Sequence, residues 1–302
     1  MVLKAVVQHP DFDRDSEVVR QAVAALMEYR REDGGFYDQG LQNYCTSLAV
    51  MALAALDDPA HEPVIRDAVK FLNGIQIMPG EKTPEGQTID EDHPFVGGTS
   101  YGKHGRPDLS NLGFTIEAWN AAGVPADDEN VQRALAFVTR TQNLSETNSR
   151  PWAALPAGND GGFIYAPAVK GDLSVGESKA DPDDPRDIRD RGHRSYGSMT
   201  YTGFKSLLYA GLSRDDKRVR AAYDWIRRYW RLDSNPNMPG KRSQQGLYYY
   251  YHAFAKALRA WEEPVIEDTA GREHNWRHEL VDALAQRVQP DGSWINTEEE
   301  RW

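Results

Sequence analysis

The chain has one cysteine, Cys45, among its 302 residues, so it can form no internal disulfide and no multi-cysteine zinc site. It also has no uninterrupted run of the roughly 18 apolar residues that a membrane span needs, so no transmembrane segment is expected. The stretch from Met1 to Ser16 lacks the basic start and long apolar centre of a secretory signal; it mixes apolar and charged residues and includes Asp11, Asp13 and Asp15. A trimmed chain would look the same, so the native compartment stays open. A basic excess is missing as well: the formal net charge is −11. That argues against nucleic-acid binding, which needs a positive face to neutralise phosphates. A small anionic ligand is not excluded, because a local basic patch can sit on an acidic protein.

Repetition is what the sequence does have. Asp33-Gly34-Gly35-Phe36, Asp160-Gly161-Gly162-Phe163 and Asp291-Gly292-Ser293-Trp294 share one turn signature, at intervals of 127 and 131 residues. Their glycines can take positive φ, and the aromatic that follows can anchor the turn against a helix. Near-equal spacing points to a structural repeat with further units in between.

Two helix classes alternate between these turns. The first is amphipathic, with apolar residues at spacings of three and four: Val19, Ala22, Val23 and Leu26; Val64, Ala68, Phe71 and Leu72; Val131, Ala134, Leu135 and Val138; Val219, Ala222, Tyr223 and Ile226; Leu280, Ala283, Leu284 and Val288. These are expected to be outer helices. Ser213 with Asp216, and Asp127 to Glu129, are expected to supply N-terminal caps and first-turn acids. The second class is poor in charge: Cys45 to Leu56, Leu109 to Ala122, Met199 to Leu212 and Leu247 to Trp261. A helix apolar on most sides belongs inside. The expected fold is therefore all-α, an (α/α) toroid of repeated helix pairs with inner and outer rings. It is expected as one domain over residues 1–302, with about five pairs. The last outer helix has no inner partner before Trp302, so either the chain is cut short or the ring stays open there.

Gln289-Pro-Asp-Gly-Ser-Trp294 resembles the repeated glutamine–tryptophan turn motif of squalene and hopene cyclases. Pro239-Gly-Lys241 running into Tyr250-Tyr251-His252 looks like the last-repeat pattern of protein prenyltransferase β subunits. The resemblance implies the terpene cyclase and prenyltransferase toroid family, and it is specific for fold rather than chemistry.

In such cyclases the resemblance would lead one to seek an Asp-x-Asp-Asp acid. Asp181-Pro182-Asp183-Asp184 has those letters but lies in a charged, proline-flanked run, which reads as a solvated loop. In prenyltransferases the resemblance implies a zinc held by Asp, Cys and His. His252 sits where that His would be, but the required Asp-x-Cys is missing, so neither metal nor cofactor is expected.

A third constellation carries the site expectation. Basic loops precede three inner helices: Lys103, His104 and Arg106; Arg189, Arg191, His193 and Arg194; Lys241 and Arg242. The inner helices then open with polar and aromatic residues, among them Asn43, Tyr44, Asp108, Asn111, Tyr201, Tyr250 and Tyr251. Inner helices of a toroid all run the same way, so their N-termini meet at one mouth, where dipoles and free N–H groups favour an anion.

The leading expectation is a cavity that binds a partly apolar small molecule, an isoprenoid with an anionic head. Lys103, Arg106 and Lys241 would hold the head, and Tyr201, Tyr250, Tyr251 and His252 would shape the cavity. Asp108 and His104 would be the acid–base candidates of an enzyme. The blander reading makes Asp108 a helix cap and the loop cations solvated or paired. Two alternatives remain. One is a non-catalytic scaffold for a protein or glycan partner; the other is a carbohydrate-active toroid using Trp152, Trp230 and Trp261.

Overall fold

The computed structural model describes residues 1–83, 86–103, 105–156, 158–169 and 171–296. Its helices separate by charge. Four are nearly charge-free and largely buried: α3 (Gln42–Leu56), α5 (Leu109–Ala121), α8 (Gly197–Tyr209) and α10 (Leu247–Trp261). Five present one apolar stripe: α2 (Glu17–Met27), α4 (Glu62–Gly74), α6 (Glu129–Arg140), α9 (Lys217–Arg228) and α11 (Trp276–Ala285). The all-α repeat class is thus the observed one. Two short helices, α1 (Val2–Val7) and α7 (Pro185–Arg191), and a hairpin of β1 (Val265–Glu267) with β2 (Glu273–Asn275) are additions that residue spacing did not predict. Each spans too few residues to carry a periodic signal.

The chain divides into two compact units, Met1–Ala136 and Phe137–Trp302. In the N-terminal unit α3 packs against α1, α4 and α5. In the C-terminal unit α8 packs against α9 and α10. Hydroxyl residues inside α8 are buried without cost because they bond back to the helix: Thr202 Oγ1 donates to the Ser198 carbonyl and Ser206 Oγ to that of Thr202, both at 2.8 Å.

The repeat turns explain their own glycines. Gly34 and Gly161 have φ of 89° and 86°, and an added Cβ would lie 2.7 Å from the Asp67 carbonyl oxygen and 2.4 Å from that of Ala221. Backbone passes too close for any side chain. The aspartate before each glycine accepts from the N–H two residues on, at 3.0 Å for both Asp33 to Gly35 and Asp160 to Gly162. The aromatic's N–H donates to a threonine on the adjoining buried helix: Phe36 to Thr46 Oγ1 at 2.9 Å, and Phe163 to Thr200 Oγ1 at 3.1 Å.

A fourth copy of this turn was not visible in the sequence. Gly97 has φ of 81°, and a Cβ there would sit 2.0 Å from the Arg133 carbonyl oxygen. It keeps both glycines, Gly97 and Gly98, but Val96 stands in place of the aspartate and Thr99 in place of the aromatic, so the four-residue signature is absent. A glutamine ties this turn and the Gly161 turn in the same way. Gln76 Nε2 donates to the carbonyls of Gly97 (3.0 Å) and Asn130 (2.9 Å), and Gln142 Nε2 to those of Gly161 and Arg218, both at 2.9 Å. One amide thereby staples its own helix's end to the turn and to the start of the next outer helix.

The caps need a small correction. Asp216 caps α9 through Arg218 N–H at 2.9 Å, and Asp128 receives the N–H of Asn130 at 2.8 Å. Neither Ser213 nor Asp127 makes the cap bond, because the acceptor must stand immediately before the first helical turn.

Candidate functional site

In the N-terminal unit the starts of α3 and α5 lie side by side. Asn43, in the first turn of α3, donates Nδ2 to Thr99 Oγ1 (3.0 Å), the Ser100 carbonyl (3.1 Å) and the Asn111 carbonyl (3.3 Å). Its Oδ1 receives Thr115 Oγ1 at 2.8 Å and Ser47 Oγ at 3.1 Å. One buried amide therefore locks the first turns of both helices to the segment that leads into α5. Asp108 is the N-cap of α5: Oδ1 accepts from Asn111 N–H and Oδ2 from Asn111 Nδ2, each at 2.8 Å. Both carboxylate oxygens are engaged, the arrangement a cap requires. Arg106 is half-buried two residues earlier, and Lys103 is exposed on a cleft that also carries Glu32, Asp33, Asp67 and Lys70. The mixed charge of that cleft weakens the field Lys103 offers an anion. His104 lies outside the described residues.

The same unit contains a buried ion pair. Lys4 on α1 reaches Glu117 on α5, with Nζ 3.1 Å from Oε1 and 3.3 Å from Met51 Sδ. Glu117 is 3% exposed, so this pair tethers α1 to the buried helices.

In the C-terminal unit α8 and α10 also begin together. Asn235 fixes the start of α8, accepting from Ser198 N–H at 3.0 Å and donating to Ser198 Oγ at 2.8 Å. Tyr201 and Tyr250 pack ring to ring at 5.5 Å with Phe254 beside them, and Tyr250 donates its hydroxyl to the Arg231 carbonyl at 2.7 Å. Burial pushes both phenols well above their ordinary range, so at neutral pH they offer O–H groups and no base. Tyr251 hydrogen-bonds the Leu232 carbonyl, and burial pushes it up to about 12. His252 is half-buried on α10, and Lys241 is exposed on the turn before that helix.

The Asp181-Pro-Asp-Asp run splits. Asp183 is solvated and Asp184 caps α7 through Arg186 N–H at 2.9 Å, as a charged loop should be. Asp181 departs from that expectation because the loop folds back. It is buried, with Oδ2 at 2.7 Å from His193 Nδ1 and Oδ1 receiving Arg194 N–H at 3.0 Å. Arg242 Nη2 donates to the Asp181 carbonyl at 2.9 Å. The His193 ring is closed in by Trp152, edge-on at 5.5 Å, and by Gly176, where a Cβ would fall 3.0 Å from its Cδ2. The pair is packed as a clasp on the loop leading to α8.

Asp160, half-buried in the same unit, is a second hydrogen-bonded carboxylate. It receives Ser195 Oγ (2.6 Å), Gly162 N–H (3.0 Å) and Trp225 Nε1 (3.0 Å). Burial raises its carboxyl above the usual range, against the pull of those three donors. Of the three tryptophans considered for sugar stacking, Trp152 and Trp261 are buried, and Trp230 is covered by His274, stacked at 4.7 Å.

Residue spacing named Asp108 and the tyrosines, which the structure places at the helix starts described above. It named Asn43 only as a polar residue at the start of an inner helix and missed Asn235, which holds the start of α8; an isolated asparagine carries no spacing signal. Among the described residues no group of three or more His, Cys, Asp or Glu is placed to hold a metal ion, and no helix is long and apolar enough to cross a membrane.

Solved structures similar to the chain include the type II terpene cyclase MstE from Scytonema without ligand, at 16% identity, TM-score 0.36, covering 91% of this chain and 80% of that one. A variant of MstE in complex with merosterolic acid A (product) gives 16% identity, TM-score 0.35, and coverage of 91% and 80%. Comparison with curated proteins gives no match. The family model for the squalene-hopene cyclase C-terminal domain matches residues 1–153. Half of the chain is thereby accounted for, and the protein belongs to the squalene-hopene cyclase C-terminal domain family.

Proposed function

We propose that this protein binds a partly apolar molecule of the isoprenoid class that carries an anionic head. The observation that carries the reading is the pairing of buried-helix starts within each unit, α3 with α5 and α8 with α10, with a basic loop before α5, α8 and α10. Adjacent N-termini sum their partial positive charge and present backbone N–H groups to a diphosphate or carboxylate. Arg106 is the cation assigned to a head bound at the helix starts of the N-terminal unit, with Lys103 contributing less because of the acids around it, and Lys241 is the one assigned in the C-terminal unit. In the C-terminal unit Tyr201, Tyr250 and Tyr251 give the apolar part a rigid aromatic surround. Family membership supports the isoprenoid class, since squalene and hopene are isoprenoid hydrocarbons.

For chemistry on that ligand, Asp108 and His104 are the proposed acid–base groups. Asp108→Asn keeps the cap geometry, because an amide oxygen still accepts from the Asn111 N–H. Loss of turnover with unchanged thermal stability would support the role, and unchanged turnover would remove it. Binding itself is tested by calorimetric titration with farnesyl diphosphate. The wild type should bind saturably, and Arg106→Ala with Lys241→Ala should weaken binding at least tenfold, about 1.4 kcal/mol. Equal affinity of both proteins would refute the assignment of the head.

A further inference from the structure

The N-terminal unit holds a second feature that the anionic-head reading does not use. Between α1, α2 and α3 lies a cavity of about 680 Å³, within the roughly 300–1,000 Å³ of small-molecule sites. Two helix stripes bound it. Residues 22, 25, 26 and 29 of the α2 segment and 45, 48, 49 and 52 of α3 stand at three- and four-residue spacings, so each set shares one face. Alanine occupies four of those eight positions, Ala22, Ala25, Ala49 and Ala52. Small side chains at the centre of two facing stripes leave space that leucines would close.

The lining also specifies charge. It contains no Lys, Arg or His, and burial lowers the Met1 amino group that borders it, favouring the neutral form. Its one carboxylate, Asp38, is turned to Arg31 at 3.3 Å, and Tyr37 donates its hydroxyl to Asp33 at 2.6 Å. Burial raises the Cys45 thiol, keeping it neutral. Around the opening, Val2, Tyr29 and Leu41 are more than half or about half exposed, at 78%, 52% and 50%. Contiguous apolar surface of this kind marks a binding site more often than a solvated face. Leu41 holds that position with φ of 55°, a left-handed conformation that bulky residues rarely adopt and that concentrates at ligand sites.

We infer that this cavity is a binding site for an uncharged, largely hydrocarbon small molecule, distinct from the site proposed for an anionic head. The concave shape and small-molecule size favour such a ligand over a protein surface, and the absence of cationic side chains disfavours anions.

Cys45 lines the cavity and is the only thiol in the chain, so its alkylation by a maleimide reports occupancy. The probe is N-phenyl-1-naphthylamine, a neutral fluorophore, with 1-dodecanol and dodecanoate as a matched uncharged and charged pair. Probe at ten times its dissociation constant should slow Cys45 labelling about tenfold, and dodecanol should displace the probe where equal dodecanoate does not. Ala25 is exposed on α2, so Ala25→Trp adds bulk to the cavity without entering the core. It should abolish probe fluorescence while leaving the melting temperature unchanged. Unprotected Cys45 at saturating probe, or fluorescence unchanged in Ala25→Trp, would overturn the inference. So would self-association abolished by Ala25→Trp without any effect of probe, which would make the surface a contact between copies. Diphosphate binding lost in the Arg106→Ala, Lys241→Ala protein leaves this test untouched, because neither residue lines the cavity.

Discussion

Replacing Gln142 by Glu exchanges an amide for a carboxylate at nearly constant volume, so it tests the staple rather than the packing. Gln142 is fully buried and donates two hydrogens to backbone carbonyls at 2.9 Å each. Each such bond is worth about 1 kcal/mol net, so losing both costs about 2 kcal/mol. An ionised carboxylate facing two carbonyl oxygens adds an uncompensated buried charge, for a total of ~4–6 kcal/mol at pH 8. The introduced carboxyl should therefore titrate above its unfolded value of about 4.3. Its penalty is full above that raised folded value and is relieved as pH falls toward the unfolded one. Urea denaturation followed by tryptophan fluorescence should place Gln142→Glu far below wild type at pH 8 and much closer at pH 5. Gln142→Leu, which loses only the bonds, should cost about 2 kcal/mol at both values. A Glu variant within about 1 kcal/mol of wild type at pH 8 would refute the staple, because the two bonds alone exceed that. So would an equal cost at both pH values.

Three other outcomes follow from the same geometry. Gly97→Ala forces a Cβ to 2.0 Å from a backbone oxygen at positive φ, and it should cost at least ~3 kcal/mol by thermal unfolding, whereas Gly80→Ala, with positive φ but open space, should cost about 1 kcal/mol. Lys4→Ala strands the Glu117 carboxylate without this partner and should cost ~3–5 kcal/mol in chemical denaturation; a cost below about 1 kcal/mol would mean that the pair does not hold α1. Asp268 is held below the usual carboxylate range by the Arg272 N–H, with His274 and the Arg272 guanidinium adding to it. Its contribution to the β1–β2 hairpin is present above the unfolded value and lost as pH falls through the folded one, so amide protection of residues 265–275 should fade only in strong acid. Asp268→Asn should remove that pH dependence.

Much of the fold was readable because it follows from where charge is absent. Gln42–Leu56 contains no ionisable side chain apart from Tyr44 and Cys45, and such a helix has only one place to go. The Asp-Gly-Gly-Phe turns were readable because four adjacent residues repeat. The Gly97 turn was hidden because its requirement is steric: only the approach of the Arg133 carbonyl shows that a side chain cannot fit. Asp181 was misleading for a similar reason. Its neighbours are charged and solvated, yet the loop returns it to His193, a contact set by tertiary geometry. The site is legible only as a composition of basic loops and polar helix starts. The asparagines that align those starts act across 50 or so residues of chain, as Asn43 to Thr99 does with a separation of 56.

The most direct test of the account is native mass spectrometry of the purified protein with farnesyl diphosphate and, separately, with farnesol. The account predicts a saturable adduct with the diphosphate that disappears when the cation of each unit is removed, in the Arg106→Ala, Lys241→Ala protein, while the charge-state distribution stays that of a folded chain. A folded protein that forms no adduct with the diphosphate at any concentration tested would contradict it.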